Sequence, residues 1–246
     1  MIIENTLFGI VNKIEDAISF LREHEPPEGY YVAFSGGKDS VVTLDLVRRS
    51  GVKHDVHMNL TSVDPIELLR FVREHYAEID FVKPRQSMAA LIIKKGFPPT
   101  RIIRYCCEFL KEHSGENRHV VTGVRREESF RRSGYGFVER DTNEKKNKTH
   151  VRPILAWTEA EIWEYIEENK LPYCSLYDEG RSRIGCIMCP MTGKAGMLRD
   201  KQRWPAVYRM YEGACEKAIR RREQIGKPVT QKTGKEMMDW WIYSQT

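Results

Sequence analysis

At 246 residues, 41% hydrophobic and 30% charged, the chain is long enough to bury a full core and has the composition of a water-soluble globule. Its net charge of +5 is uneven: residues 181–246 hold 14 Lys and Arg against 6 Asp and Glu, while residues 1–180 are slightly acidic. No basic-then-apolar leader opens the sequence and no apolar run approaches the roughly 20 residues that span a bilayer, so the expected compartment is the cytoplasm, with thiols kept reduced.

In chain order, residues 1–27 are predicted to form an N-terminal helix, roughly Glu4 to His24. Leu7, Ile10, Val11, Ile14, Ala17, Ile18 and Leu21 repeat at the helical period, and Glu-Pro-Pro-Glu-Gly then ends it. Residues 28–173 alternate strands with helices. Tyr30–Phe34 reads as a strand, followed by a helix from Asp39 to Ser50 with Gly51 as its stop. His54–Leu60 is a second strand. A helix follows with Asp64 as N-cap and Pro65 in its first turn, then the strand Ile79–Pro84. Two helical stretches, 85–96 and 100–113, flank a Gly-Phe-Pro-Pro break. Arg118–Val124 is a fourth strand, and residues 133–151 read as a hairpin or loose loop. Trp157–Pro172 is a helix whose Thr158 and Glu161 form a capping box. Such alternation predicts an α/β fold, a doubly wound, mostly parallel sheet. Residues 174–246 read as a C-terminal extension of loops and basic helices across the sheet's functional edge.

The stretch Phe34-Ser35-Gly36-Gly37-Lys38-Asp39-Ser40 joins the first of these strands to a helix. Two glycines let consecutive backbone N–H groups face one concavity, and the helix start adds its positive dipole. Ser35 and Ser40 supply hydroxyls and Lys38 a charge. Asp39 suits a cap or a Mg²⁺ bridging phosphates. The spacing matches neither common nucleotide fingerprint, G-x-x-x-x-G-K-[ST] or G-x-G-x-x-G.

Ser-Gly-Gly-x-Asp-Ser after the strand resembles the PP-loop ATP pyrophosphatases, the adenine nucleotide α-hydrolase superfamily. Within it, Val120–Ser129, Val151–Tyr173 and Leu176–Pro190, in that order, are similar to the phosphoadenosine phosphosulfate (PAPS) reductase family. The resemblance implies an adenine nucleotide at the strand ends, with phosphates on Ser35, Gly36, Gly37, Lys38, Asp39 and Ser40, flanked by Gly123 and Arg125. It implies catalytic roles for Lys38, Asp39 and Arg125. Read from the residues alone, Arg125 also fits an exposed charge run with Arg126, Glu127 and Glu128.

The six cysteines are Cys106, Cys107, Cys174, Cys186, Cys189 and Cys215. Four thiolates suit either tetrahedral Zn²⁺ or an iron–sulfur cluster. A vicinal pair makes a poor zinc knuckle, because adjacent helical residues diverge by about 100°. The resemblance, to cluster-bearing adenylylsulfate reductases and to sulfurtransferases of DNA phosphorothioation, implies a [4Fe–4S] cluster on Cys106, Cys107, Cys186 and Cys189, with Zn²⁺ the alternative. Arg104, Lys111 and Arg183 are candidate charge-balancing groups. Cys215 sits on an apolar stripe with Trp204, Tyr208, Tyr211 and Ile219 and is expected to be buried, and Cys174 is the candidate reactive thiol.

True sulfonucleotide reductases use a cysteine in a Glu-Cys-Gly type tail, and after Cys215 this sequence holds no cysteine. The expectation is therefore an ATP pyrophosphatase of sulfurtransferase type, using ATP with Mg²⁺ to adenylate an acceptor that then takes sulfur. The basic residues 181–246, with Trp204, Trp240 and Trp241 to stack on bases, suit a nucleic acid acceptor or a sulfur-donor protein. Two alternatives stand beside it: a reductase of adenylylsulfate or phosphoadenylylsulfate that makes sulfite, and a non-catalytic nucleotide-sensing iron–sulfur module.

Overall fold

Runs of β-branched and aromatic residues become the strands, and amphipathic stretches between them become the helices, as their side-chain periods require. The computed structural model describes residues 2–6, 9–141 and 147–244. The elements in chain order are β1 (Ile3–Thr6), β2 (Gly9–Asn12), α1 (Lys13–Glu23), β3 (Tyr30–Ala33), α2 (Lys38–Ser50), β4 (His54–Asn59), α3 (Ile66–His75) and β5 (Asp80–Val82). There follow α4 (Met88–Lys95), α5 (Tyr105–Leu110), β6 (His119–Val121), α6 (Phe130–Ser133), β7 (Val138–Arg140), β8 (Thr149–Val151), α7 (Glu159–Glu168), α8 (Gly193–Arg203), α9 (Pro205–Gln224) and α10 (Gly234–Tyr243).

These gather into two compact units, each discontinuous in sequence. The first comprises Met1–Asn59, Ile66–Val82 and Ser114–Ile184. Its six-stranded sheet has the order β5-β4-β3-β6-β8-β7, parallel except for β7, which pairs antiparallel with β8. Tyr30, Val32, Val56, Met58, Val121 and Val151 are buried along its central strands. Helices α1, α2 and α7 pack side by side. The chain steps from β3 outward to β4 and β5, then returns to place β6 on the other side of β3. That reversal opens a crevice at the carboxyl ends of β3 and β6, where ligands of such sheets bind.

The second unit comprises Leu60–Pro65, Lys83–His113 and Gly185–Thr246. Helix α9 is its axis, with α4, α8 and α10 packed against it. Tyr208, Tyr211, Ala214, Cys215, Ala218 and Ile219 form the buried stripe of α9. Trp241 stacks on Tyr211 at 5.2 Å, and its indole N–H donates to the Pro99 carbonyl at 2.6 Å. Fully burying each such side chain contributes about 2–3 kcal/mol.

Several sequence expectations change. The N-terminal helix starts only at Lys13, because the β-branched residues before it pair as the hairpin β1–β2. Asn12 then caps the helix, accepting from the Ile14 and Glu15 amides. Leu7, counted in that helical period, lies outside the described residues. Asp64 turns its carboxylate to the Thr61 amide and hydroxyl, both at 2.7 Å, and α3 starts at Ile66. The helix expected over 100–113 is only the six residues of α5. Residues 133–151 do hold a hairpin, β7–β8, which widens the sheet; positions 142–146 between them lie outside the described residues. The compact units also divide the chain at other points than 27/28 and 173/174.

Candidate functional site

The phosphate loop lies between β3 and α2. Gly36 has φ +73°, a conformation that favours glycine, and a Cβ there would sit 2.5 Å from Leu68 Cδ1, so that side chain would have to shift. The Ser40 hydroxyl donates to the Gly37 carbonyl at 2.8 Å and accepts from the Ser35 amide at 3.2 Å, which rounds the loop. Gly37 is the N-cap of α2 and has no side chain of its own to cap it; the first helical amide, Lys38 N–H, donates instead to the Tyr177 hydroxyl at 2.9 Å. Lys38 is buried. Its ammonium donates to the Ser182 carbonyl at 3.1 Å and pairs with Glu159 at 3.3 Å and Asp39 at 3.6 Å.

Gly123 follows β6, with its Cα so close to α2 that a Cβ would lie 2.7 Å from the Asp39 carbonyl oxygen. Arg125 is 3% exposed, which disposes of the surface charge run. Its Nε donates to Asp39 Oδ1 at 2.5 Å, its Nη1 to Glu127 at 2.6 Å, and its backbone N–H to Glu128 Oε1 at 3.1 Å. Burial works to lower the Arg125 pKa, but Asp39 and Glu127 outweigh it and hold the guanidinium above its usual range. Asp39 is therefore in the first turn of α2 and ion-paired, not its cap. The structure brings Ser35 through Ser40, Gly123 and Arg125 together at the crevice.

The four patterned cysteines all fall in the second unit and are half-buried. Cys106 and Cys107 lie in the first turn of α5. Their mutual hydrogen bond, opposed by burial and aided by Arg104 and Lys111, lowers the Cys107 thiol to about 5; the same bond and burial push Cys106 up. The Arg104 guanidinium lies 3.3 Å from Cys107 Sγ. Cys186 above all, with Cys107, Asp64 and Cys189, holds the Lys111 ammonium above its usual range. The C-x-x-C turn is fixed by its backbone: Ile187 N–H donates to the Val63 carbonyl at 2.8 Å and Met188 N–H to Asp200 Oδ2 at 2.8 Å. Those bonds hold Met188 at φ +61°, a conformation that costs a non-glycine residue about 1 kcal/mol. Among the described residues, no three or more His, Cys, Asp or Glu side chains are closed into a metal-binding group. The donor chemistry, four thiols beside two cations that favour thiolate, does fit a thiolate-bound metal.

Other candidates are placed differently from expectation. Cys174 is fully buried and burial raises its thiol, so it is no surface reagent. Cys215 is buried beside Met238 and pushed up to about 12 by burial, in keeping with a core role. Trp204 and Trp241 belong to the core and only Trp240, 40% exposed, is available to stack. Arg183 is exposed. Sequence reasoning missed Tyr177, Ser182 and Glu159 as neighbours of Lys38. Tyr177 and Ser182 stand inside the family-like stretch Leu176–Pro190, which was the available signal. No described helix is long and apolar enough to cross a membrane.

A family profile described as phosphoadenosine phosphosulfate reductase domain matches residues 29–192. An uncharacterized protein of Methanocaldococcus jannaschii is 31% identical over 220 residues, covering 83% of this chain and 45% of that one, so the chain spans less than half that relative's length. A probable FAD synthase of Schizosaccharomyces pombe is 30% identical over 222 residues, covering 87% of this chain and 81% of that protein. An adenosine 5′-phosphosulfate reductase of Bacillus anthracis is 28% identical over 210 residues, covering 78% and 90%. The fold is similar to the crystal structure of phosphoadenylyl-sulfate reductase from Candida auris in a phosphate complex, with a TM-score of 0.54, 21% identity, and 70% and 88% of the two chains covered.

Proposed function

The chain belongs to the phosphoadenosine phosphosulfate reductase family, and from that premise we propose that it binds ATP with Mg²⁺ and cleaves it to AMP and pyrophosphate, adenylating an acceptor for sulfur transfer. The observation that carries the reading is the loop Ser35–Ser40 at the sheet's reversal point, with the start of α2 and the buried Lys38 beside it. An acceptor oxygen attacks the α-phosphorus, the bond to the bridging oxygen breaks, and pyrophosphate leaves with the electron pair. Loop amides, the α2 dipole and Lys38 offset the charge that grows on that leaving group. Arg125 acts here as a positioning residue, holding Asp39 and hence the start of α2. The relative named probable FAD synthase lends support to a nucleotide-using enzyme.

Cys106, Cys107, Cys186 and Cys189 would hold a [4Fe–4S] cluster, with Zn²⁺ the alternative. Such a cluster supplies a place to carry or relay sulfur when bound. Arg104 and Lys111 balance its negative charge. The basic residues 181–246 suit a nucleic acid or a sulfur-donor protein as partner.

The test uses anaerobically purified protein with labelled ATP and Mg²⁺. AMP and pyrophosphate should appear together, and Lys38→Ala should lower their yield by about a hundredfold. Iron and acid-labile sulfide in equal amounts support the cluster; a colourless, zinc-loaded protein defeats it. The Bacillus anthracis relative favours a second reading, reduction of a sulfated adenine nucleotide. Sulfite release from that nucleotide, with ATP left intact, would establish it instead.

A further inference from the structure

The phosphate loop is engaged from within its own unit. Tyr177 ends the short turn Ser175–Tyr177 that follows α7. Its hydroxyl accepts from the Lys38 backbone N–H at 2.9 Å, at the start of α2. The Lys38 ammonium passes 5.5 Å from the centroid of the same ring and donates to the Ser182 carbonyl at 3.1 Å. Gly37 lies so near that a Cβ on it would be 3.4 Å from the Tyr177 oxygen. Trp163 holds the ring edge-on at 5.1 Å. One short segment thus takes the first helical amide and shares the ammonium with Glu159 and Asp39, engaging both donors a phosphate would use.

We propose that Tyr177–Ser182 is a latch over the phosphate loop, and that the terminal phosphates of ATP bind by displacing it. This rests on the reading of Ser35–Ser40 as a nucleotide phosphate loop. The Tyr177 hydroxyl and Ser182 carbonyl are neutral acceptors. A phosphate oxygen is an anionic acceptor and makes hydrogen bonds roughly twice as strong, so it wins the exchange. The segment is built to leave: Gly180 has φ +80°, residues 178–184 pair with no strand, and Ser182 and Arg183 are exposed. Closed, it keeps smaller or weaker anions off the amides. Apparent affinity is then the intrinsic affinity reduced by the fraction of molecules with the latch open.

The test is calorimetric titration of the full chain with MgATP and, separately, with inorganic pyrophosphate. Tyr177→Phe keeps the ring against Trp163 and removes the acceptor, so it should bind both ligands about three- to tenfold more tightly, the size of one net hydrogen bond. Lys38→Ala should bind both more weakly. In the wild type, saturating pyrophosphate should speed tryptic cleavage after Arg181 and Arg183. Unchanged or weaker binding by Tyr177→Phe, with Lys38→Ala still impaired, overturns the latch and leaves the loop assignment standing. Slower cleavage with pyrophosphate also overturns the latch. Wild-type binding by Lys38→Ala overturns the loop assignment and the latch together.

Discussion

Gly123 shows how one missing Cβ sets the spacing of a site. Its backbone lies against the Asp39 carbonyl and the Thr43 hydroxyl, 2.7 and 2.9 Å from where a Cβ would stand. Because the first of these is backbone, the start of α2 must move to admit even a methyl group. Gly123→Ala should destabilise the protein by about 1–3 kcal/mol in urea titration and weaken ATP binding with it. Wild-type values for both would show that this contact does not govern the loop. Arg125→Ala leaves Asp39 with only the more distant Lys38 ammonium and should cost about 3 kcal/mol, less whatever water recovers at the partly exposed carboxylate. Cys107 and Cys215 make a pH prediction. In reduced, metal-free protein Cys107, lowered by its bond to Cys106 and by Arg104 and Lys111, keeps its thiolate to lower pH than an ordinary thiol, so iodoacetamide should alkylate it at pH 7 faster than a free cysteine. Cys215, pushed up to about 12 and buried, should stay unmodified at that pH by mass spectrometry.

Among the elements, α7 was the most readable from sequence and α5 the least. Thr158 accepts from the Glu161 amide at 3.2 Å and Glu161 returns to the Thr158 amide at 2.8 Å, as the capping-box spacing requires. What the spacing did not reveal is that Glu161 is buried and also pairs with Lys13 at 2.5 Å, a residue far away in the chain. Burial raises the Glu161 carboxyl, but Lys13 and the Thr158 amide outweigh it and hold it below its ordinary value of 4.5. A carboxyl lowered on folding adds stability above its unfolded value, and that stability goes as pH falls through the lower folded one. Glu161→Gln should therefore destabilise by about 1–3 kcal/mol at pH 7, and the gap from wild type should narrow as the pH falls below 4.5. A gap that persists in acid would mean the charge is not the cause. The N-terminal helix was misread because Ile10 and Val11 satisfy both a period of 3.6 and strand pairing; only the partner strand decides between them. The chemistry of the phosphate loop could be read locally, since Gly-Gly, Lys, Asp and Ser act within six residues. Tyr177 could not, since its role depends on the fold bringing it back to Lys38.

For the whole molecule, the two discontinuous units give separate readouts for the two proposed ligands. ATP at about one hundred times its dissociation constant should add about 2.7 kcal/mol to unfolding. Hydrogen exchange should localise that protection to Phe34–Val47 and Thr122–Arg125. Loss of the bound metal should instead loosen residues 104–110 and 186–200 in the second unit. Protection spread evenly over both units by either ligand would count against the assignment. The sequence boundary expected near residue 173 does not follow this division because a compact unit is defined by packing, and α4 packs against α9, which arrives far later in the chain.

The strand order carries one more consequence, for synthesis on the ribosome. β3 is a central strand, and its second neighbour, β6, emerges only after α2, α3, α4 and α5 have been made. Through that interval β3 presents an open, apolar edge with backbone groups ready to pair with any passing strand. A nascent chain stalled before His119 is therefore an aggregation-prone species, and the yield of soluble protein should fall when translation is slowed there and recover when a chaperone shields the edge.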